Sequence, residues 1–201
     1  MKRVFLGAVA ALAIAGSAQA GFLLDYGSPG PYNSGRTVSG NNIAGGWTVF
    51  QPFTVTDAAG WSVTTIGVDG WEVQDPLGLG MRGTILPSNG GVPDEGNPIA
   101  SAQYQLLPND GTSNWVDVAF NIILPQGNYF MRWDDANDPD HWSAIFPGAS
   151  GPGSFSRRES DGALFNAGVT ALRIDGTIAP TPGALALLGL AGLAGRRRRR
   201  D

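Results

Sequence analysis

The sequence predicts an all-β chain, an antiparallel β-sandwich of jelly-roll type, set between an N-terminal signal peptide and a short C-terminal hydrophobic helix. Three observations predict it. Apolar residues recur at every second position in several stretches between Trp47 and Ile178. Turn formers punctuate the intervals, with 30 Gly and 14 Pro in 201 residues. No stretch of the body carries a helical period.

The first element is residues 1–20, "MKRVFLGAVAALAIAGSAQA". Lys2 and Arg3 supply a positive start, Val4 to Ala15 an apolar run, and Ala18-Gln19-Ala20 a small-residue triplet. That order is the architecture of a secretory leader, cut by signal peptidase after Ala20, and its apolar run is too short to span a membrane. Residues 21–46 are rich in Gly, Ser and Asn around "GSPGPYNSG" and read as a lead-in, either flexible or a partly ordered edge.

Residues 47–178 form the predicted sandwich. In "WVDVAFNIIL" Val116, Val118, Phe120, Ile122 and Leu124 alternate with Asp117 and Asn121, which marks a strand with one face on a core. "SAQYQL" repeats the pattern with Ala102, Tyr104 and Leu106, and "ALRIDGTI" with Leu172, Ile174 and Ile178. Further strands are expected at Trp47–Val55, Trp61–Val68, Arg82–Leu86, Asn128–Trp133 and Trp142–Phe146. About eight or nine strands with Gly- and Pro-rich turns between them suit a sandwich.

Charge narrows the partners. Residues 21–179 hold six arginines, no lysine and sixteen acids, a net charge of −10. Such a surface argues against a nucleic-acid partner, whose phosphates need a cationic footprint. The chain has no cysteine, so thiolate metal sites and thiol catalysis are excluded, and the exported body must rest on its own core.

The last element, residues 179–201, contains "PTPGALALLGLAGLAGRRRRR". The thirteen residues from Gly183 to Gly195 would span roughly 20 Å as a helix, against roughly 30 Å of hydrocarbon. Arg196, Arg197, Arg198, Arg199 and Arg200 act as a membrane stop that stays on the cytoplasmic side. Pro180 and Pro182 keep the preceding stretch extended and open to a protease. The segment therefore reads as a transient transmembrane anchor that is later cut.

This ending resembles the PEP-CTERM sorting signal, which joins a Pro-x-Pro motif, a Gly/Ala/Leu helix and a terminal arginine cluster. Pro180 and Pro182 match the motif prolines, Ala184 to Ala194 the helix, and Arg196 to Arg200 the stop. Thr181 stands where the family usually has glutamate. The resemblance implies processing by an exosortase-type membrane protease and delivery to the cell surface or extracellular matrix of bacteria that make exopolysaccharide. More loosely, "FTVTDAAGWSVTTIGV", "GGVPDEGNPIASAQYQL" and "ILPQGNYFMRW" resemble the extracellular β-sandwich domains called choice-of-anchor domains. That resemblance covers Ala44 to Ile178 and implies a structural or interaction role.

Within the body, Trp115 and Trp142 are candidate glycan contacts, because exposed indole faces stack on sugar rings; the alternative is that tryptophan fills the core, as expected of Trp47 beside Val49, Phe53 and Val55. "WDDANDPDHW" gathers Asp134, Asp135, Asn137, Asp138 and Asp140, hard oxygens of the kind a structural Ca²⁺ takes in numbers of about six to eight. The same residues also read as a solvated acidic turn. His141 is the sole histidine, too few for a zinc site built on histidine and cysteine, and no Gly-x-Ser-x-Gly elbow accompanies it. Carboxylates are plentiful, yet no pair stands out for glycoside hydrolysis. The chain therefore reads as a non-enzymatic exported protein, with a carbohydrate-binding module or a glycan-acting enzyme as alternatives. Arg157 and Arg158 are expected to pair with the protein's own acids.

Overall fold

The computed structural model describes residues 21–28, 35–108, 112 and 114–180. Thirteen strands run through them: β1 (Gly21–Asp25), β2 (Arg36–Ser39), β3 (Trp47–Val55), β4 (Trp61–Gln74), β5 (Met81–Asn89), β6 (Val92–Pro93), β7 (Ala100–Tyr104), β8 (Trp115–Leu124), β9 (Gly127–Asp134), β10 (Trp142–Ile145), β11 (Ser154–Arg158), β12 (Leu164–Gly168) and β13 (Leu172–Ile178). The protein is all-β, with no helix among the described residues, and its strands pair antiparallel in one large sheet. Accordingly, no helix there is long and apolar enough to cross a membrane.

The strands fall into two hydrogen-bonded groups. One runs β1-β13-β4-β8. The other runs β10-β2-β3-β9-β5-β7, with β11 also pairing the 47–50 part of β3 and β12 beyond it. The long strand β4 belongs to both. Its residues 61–69 pair with β13 and β8, and its residues 70–74 pair with β10. Gly70 sits at the changeover, where a Cβ would collide with the Ala144 carbonyl.

One apolar core serves both groups. Val63, Ile66, Val68, Leu124, Leu172 and Ile174 from the first meet Val49, Phe53, Met81, Ile85, Met131 and Trp133 from the second. The Tyr104 hydroxyl crosses between them to donate to the Ile66 carbonyl at 3.0 Å. The period-two reading accounts for this directly. Along β8, Val116, Val118, Phe120, Ile122 and Leu124 face the core while Asp117, Ala119, Asn121 and Ile123 are exposed. β7 likewise buries Tyr104 and exposes Ser101 and Gln103.

Three expectations are corrected or extended. Residues 21–46 are not merely a lead-in, because β1 pairs with β13 and β2 fills the gap between β10 and β3. Ile178 does not join the core: β13 shifts register between Asp175 and Gly176, and Ile178 at the strand end is 55% exposed. Trp47 lies half-buried at the edge, its ring 5.2 Å from that of Phe165. The strands β11 and β12, absent from the sequence reading, supply that edge.

Gln51 is a buried polar tie in this apolar setting. It is fully buried on β3, donates to the carbonyls of Pro52 and Pro152, and accepts from both the amide and the hydroxyl of Thr170 at 2.8 Å. Gln51→Leu would leave the buried Thr170 amide without an acceptor, so it should cost on the order of 2–3 kcal/mol in denaturant unfolding. Thr54→Val, on the exposed face of the same strand, should change stability by about 0.5 kcal/mol or less.

Candidate functional site

Of the expected processing residues, Ala18, Ala20, Thr181, Pro182 and Arg196 to Arg200 lie outside the described residues. Pro180 is described and is exposed, directly after the buried Ala179.

The two candidate glycan tryptophans differ in accessibility. The Trp115 ring is covered by the Arg173 guanidinium, 4.4 Å from its centroid, and Arg173 is itself held by Asp117. Trp142 on β10 is 40% exposed. Exposed Val73 precedes its partner Gln74 in chain order, and Leu77 and Leu107 are exposed nearby along the chain and across the Glu72 amide bond to the Leu107 carbonyl.

The five oxygens expected to gather around Ca²⁺ point to separate partners. Asp134 is bound by Arg82 and Arg132, each at 2.9 Å. Asp135 accepts from the Asn137 amide, Asp138 from the amides of Asp140 and Leu77, and Asp140 from the side chain of Asn42. Asn137 is exposed, in the left-handed region with φ 68°. The loop is thus held by its own Asx turns and by arginines.

Those arginines extend into a network. Glu95 accepts from Arg132 and from both terminal nitrogens of Arg157, and Arg157 also donates to Glu159. Arg158 pairs with Asp161, so the Arg157-Arg158 pair serves intramolecular acids, as the sequence suggested. A cleft of about 470 Å³ lies beside this network, lined in part by Arg82, Arg132, Asp134 and Arg157.

A different set of side chains does converge. Glu72 comes from the far end of β4, Asp75 from the turn that follows, and His141 from the residue before β10. One ligand atom from each lies within 4.8 Å of the others. The pairing explains the convergence: a bulge at Trp142/Ser143 sets Ser143 opposite Glu72, and His141, two residues before Ser143, shares its face. His141 is fully buried, with its Nδ1 4.0 Å from Glu72 Oε1 and 3.9 Å from Asp75 Oδ1. Its Nε2 lies 3.1 Å from Ser143 Oγ, whose own hydroxyl reaches Met81 Sδ at 3.7 Å.

The electrostatics of this cluster are unusual. Burial, then the charges of Asp75 and Asp138, push the Glu72 carboxyl up to about 8. Burial also lowers the His141 imidazole, against the opposite pull of Asp75, Asp138 and Asp135. Burial thus disfavours the charged ring more than the surrounding acids favour it. Glu72 and Asp75 escaped sequence reading because they lie 69 and 66 residues from His141 in a stretch, "WEVQDP", with no spacing that marks a site.

No protein-family model and no curated protein matches this chain.

The Glu95 network yields a pH prediction. Burial raises the Glu95 carboxyl, but the hydrogen bonds and charges of Arg157 and Arg132 outweigh it and hold the group below 4.5. The folded state then binds fewer protons than the unfolded one. The stabilisation is present above about 4.5 and is lost as pH falls through the lower folded value. Glu95→Gln should accordingly lower the urea midpoint relative to wild type at pH 7, and the gap should close toward pH 3.

Proposed function

We propose that this is an exported cell-surface or extracellular-matrix protein, a jelly-roll-like β-sandwich sorted by a PEP-CTERM-type signal, with a structural or interaction role in the envelope or its exopolysaccharide. The sandwich reading is supported by the single core shared between two strand groups. The sorting reading rests on the residues of the two ends. The observation that best supports it is how the fold meets the two expected cuts. Gly21, the first residue after the expected leader, opens β1 and pairs with Gly176. At the other end the Ala179 amide donates to the Gly60 carbonyl at 2.9 Å, and the next residue is the exposed Pro180.

Both cuts would therefore leave the β1–β13 pairing and the bond from Ala179 to Gly60 intact. A signal peptidase would release Gly21, and an exosortase-type protease would act on Pro180-Thr181-Pro182 while the apolar segment and Arg196 to Arg200 hold the chain at the inner membrane.

Intact mass of the protein from envelope and matrix fractions of its native host tests this. The expected species starts at Gly21 and ends near Pro180 to Pro182, and a Pro180→Ala/Pro182→Ala double variant should accumulate with its arginine tail. Mature wild-type protein that keeps Arg196 to Arg200 would make the segment a permanent anchor.

A second reading, a carbohydrate-binding module, is favoured by the exposure of Trp142. Retention of the protein on native exopolysaccharide should fall at least about tenfold for Trp142→Ala, the loss of a hot-spot aromatic, and change little for Trp115→Ala, whose ring face Arg173 occupies. Equal retention of wild type and Trp142→Ala would remove this reading.

A further inference from the structure

We propose that Glu72, Asp75 and His141 bind one divalent transition cation of the zinc type. The sequence reading judged one histidine too few for zinc; it counted only nitrogen and sulfur, whereas carboxylate oxygens serve as well. Here two carboxylates complete the set.

The first argument is geometric. In a tetrahedral shell, zinc bonds of about 2.0–2.2 Å place neighbouring ligand atoms about 3.3–3.6 Å apart. His141 Nδ1 stands 3.9 and 4.0 Å from the two carboxylates, roughly half an ångström too far, and all three ligand atoms lie within 4.8 Å of one another, so movement of the side chains toward a common centre would close the site. The same distances are too long for direct hydrogen bonds. The three groups face each other without bonding each other.

The second argument is the hydrogen-bond inventory. His141 Nδ1 and Glu72 Oε2 are buried and have no hydrogen-bond partner. Buried polar atoms left unpaired are costly, and the unpaired Nδ1 faces Glu72 Oε1 and Asp75 Oδ1 at 4.0 and 3.9 Å. Ser143 gives its hydroxyl to Met81 Sδ and so accepts from His141 Nε2–H. With Nε2 bonded to Ser143, Nδ1 is the ring atom left to face the two carboxylates, and it has no hydrogen-bond partner. A cation placed between them would satisfy all three groups at once. A metal-binding imidazole is typically fixed in this way, by donating its other N–H to an outer partner.

The carboxylates are fixed too. Asp75 accepts from the amides of Leu79 and Gly80, and Glu72 Oε1 from those of Val73 and Gln74. Among the described residues, the ion pairs of Arg82, Arg132, Arg157, Arg158 and Arg173 go to other acids. The side chains of Glu72 and Asp75 keep 13% and 9% of their surface in solvent, which gives an ion a way in. An imidazole with two carboxylates suits zinc and its neighbours better than Ca²⁺, which prefers an all-oxygen shell. Bound there, the ion would tie β4, the turn at Asp75 and the start of β10 together.

The test uses the full chain, purified without a polyhistidine tag and stripped with chelator, with zinc as the probe and calcium as the comparison. Calorimetry should show one zinc per chain, and thermal melting should move upward with zinc. Because His141 is the only histidine, nitrogen NMR of the single imidazole reads the site directly. The Nδ1 resonance should shift on zinc addition while Nε2 keeps its proton. Glu72→Gln and Ser143→Ala should each weaken zinc by at least about tenfold, the lower edge of what losing even an outer-shell partner costs, and Asp135→Asn should leave it unchanged. The proposal is overturned by an unmoved Nδ1 resonance in wild type, by absence of saturable zinc binding, by zinc affinity that survives Glu72→Gln, or by calcium saturating the site where zinc does not. The imidazole spectrum of the wild-type chain decides even where a variant fails to fold.

Discussion

The rest of the structure depends on the continuity of β4. Fourteen residues, Trp61 to Gln74, form one strand whose first part pairs with β13 and β8 and whose last part pairs with β10. A strand shared in this way makes the two groups cooperative: the register of one sets the register of the other. The alternation of side chains then allows little slippage, because a shift of one residue would turn Val63, Ile66 and Val68 away from the core. Gly70 marks where the change of partner occurs, and it is small because the Ala144 carbonyl lies against it. Beyond that point β4 carries Glu72 to the imidazole of His141.

The opposite face of the second group shows a different solution to the same problem. Phe50, Leu86 and Phe130 are buried there, away from the main core, with Phe155 of β11 stacked on Phe50 at 4.8 Å between ring centroids. Among the described residues, the Arg157 guanidinium lies over the Phe50 ring, 5.1 Å from its centroid, and its grip on Glu95 brings the 94–99 turn to the same face. Arginine stems and planes cover apolar surface while their charge stays paired, which lets one side chain act as both lid and clamp.

How much of this was legible follows from where each signal resides. β8 and β7 could be read from their own residues, since a strand with one wet face writes that face into its alternation. β1, β2 and β11 could not. "SFSRR" has too little apolar content to mark a strand, and what makes it one is the unsatisfied edge of β3, to which Phe155 and Ser156 pair at Phe50 and Val49. Edge strands take their structure from a neighbour's hydrogen-bonding groups, which no local pattern records. The acidic loop at 134–140 was legible as an accumulation of charge but not as a geometry. Its carboxylates turned out to be engaged by arginines and local amides, while the convergent pair came from a strand end and turn far upstream.

The absence of cysteine gives these polar ties their weight. Disulfides can restrain loops by closing them covalently, and this chain has no cysteine to do so. Its loops are instead tied by side chains: Gln51 holds the Pro152 and Thr170 segments, Glu95 joins three elements through two arginines, and Asp69, fully buried, accepts the Asn114 amide. With sixteen acids against six arginines in residues 21–179, arginine can pair only a minority of the acids one to one. The arginine ion pairs serve the outer face, the 158–161 turn and a bridge from β13 to β8 across Gly67 of β4. Glu72 and Asp75 are left facing the buried Nδ1 of His141 at the junction of β4 and β10, at distances too long for hydrogen bonds. Acidic groups spread over a surface favour solubility, whereas buried polar atoms without a partner raise the free energy of the fold unless a ligand satisfies them. The junction on which both strand groups depend is thus also the place where a positive ion would have the largest effect on the whole.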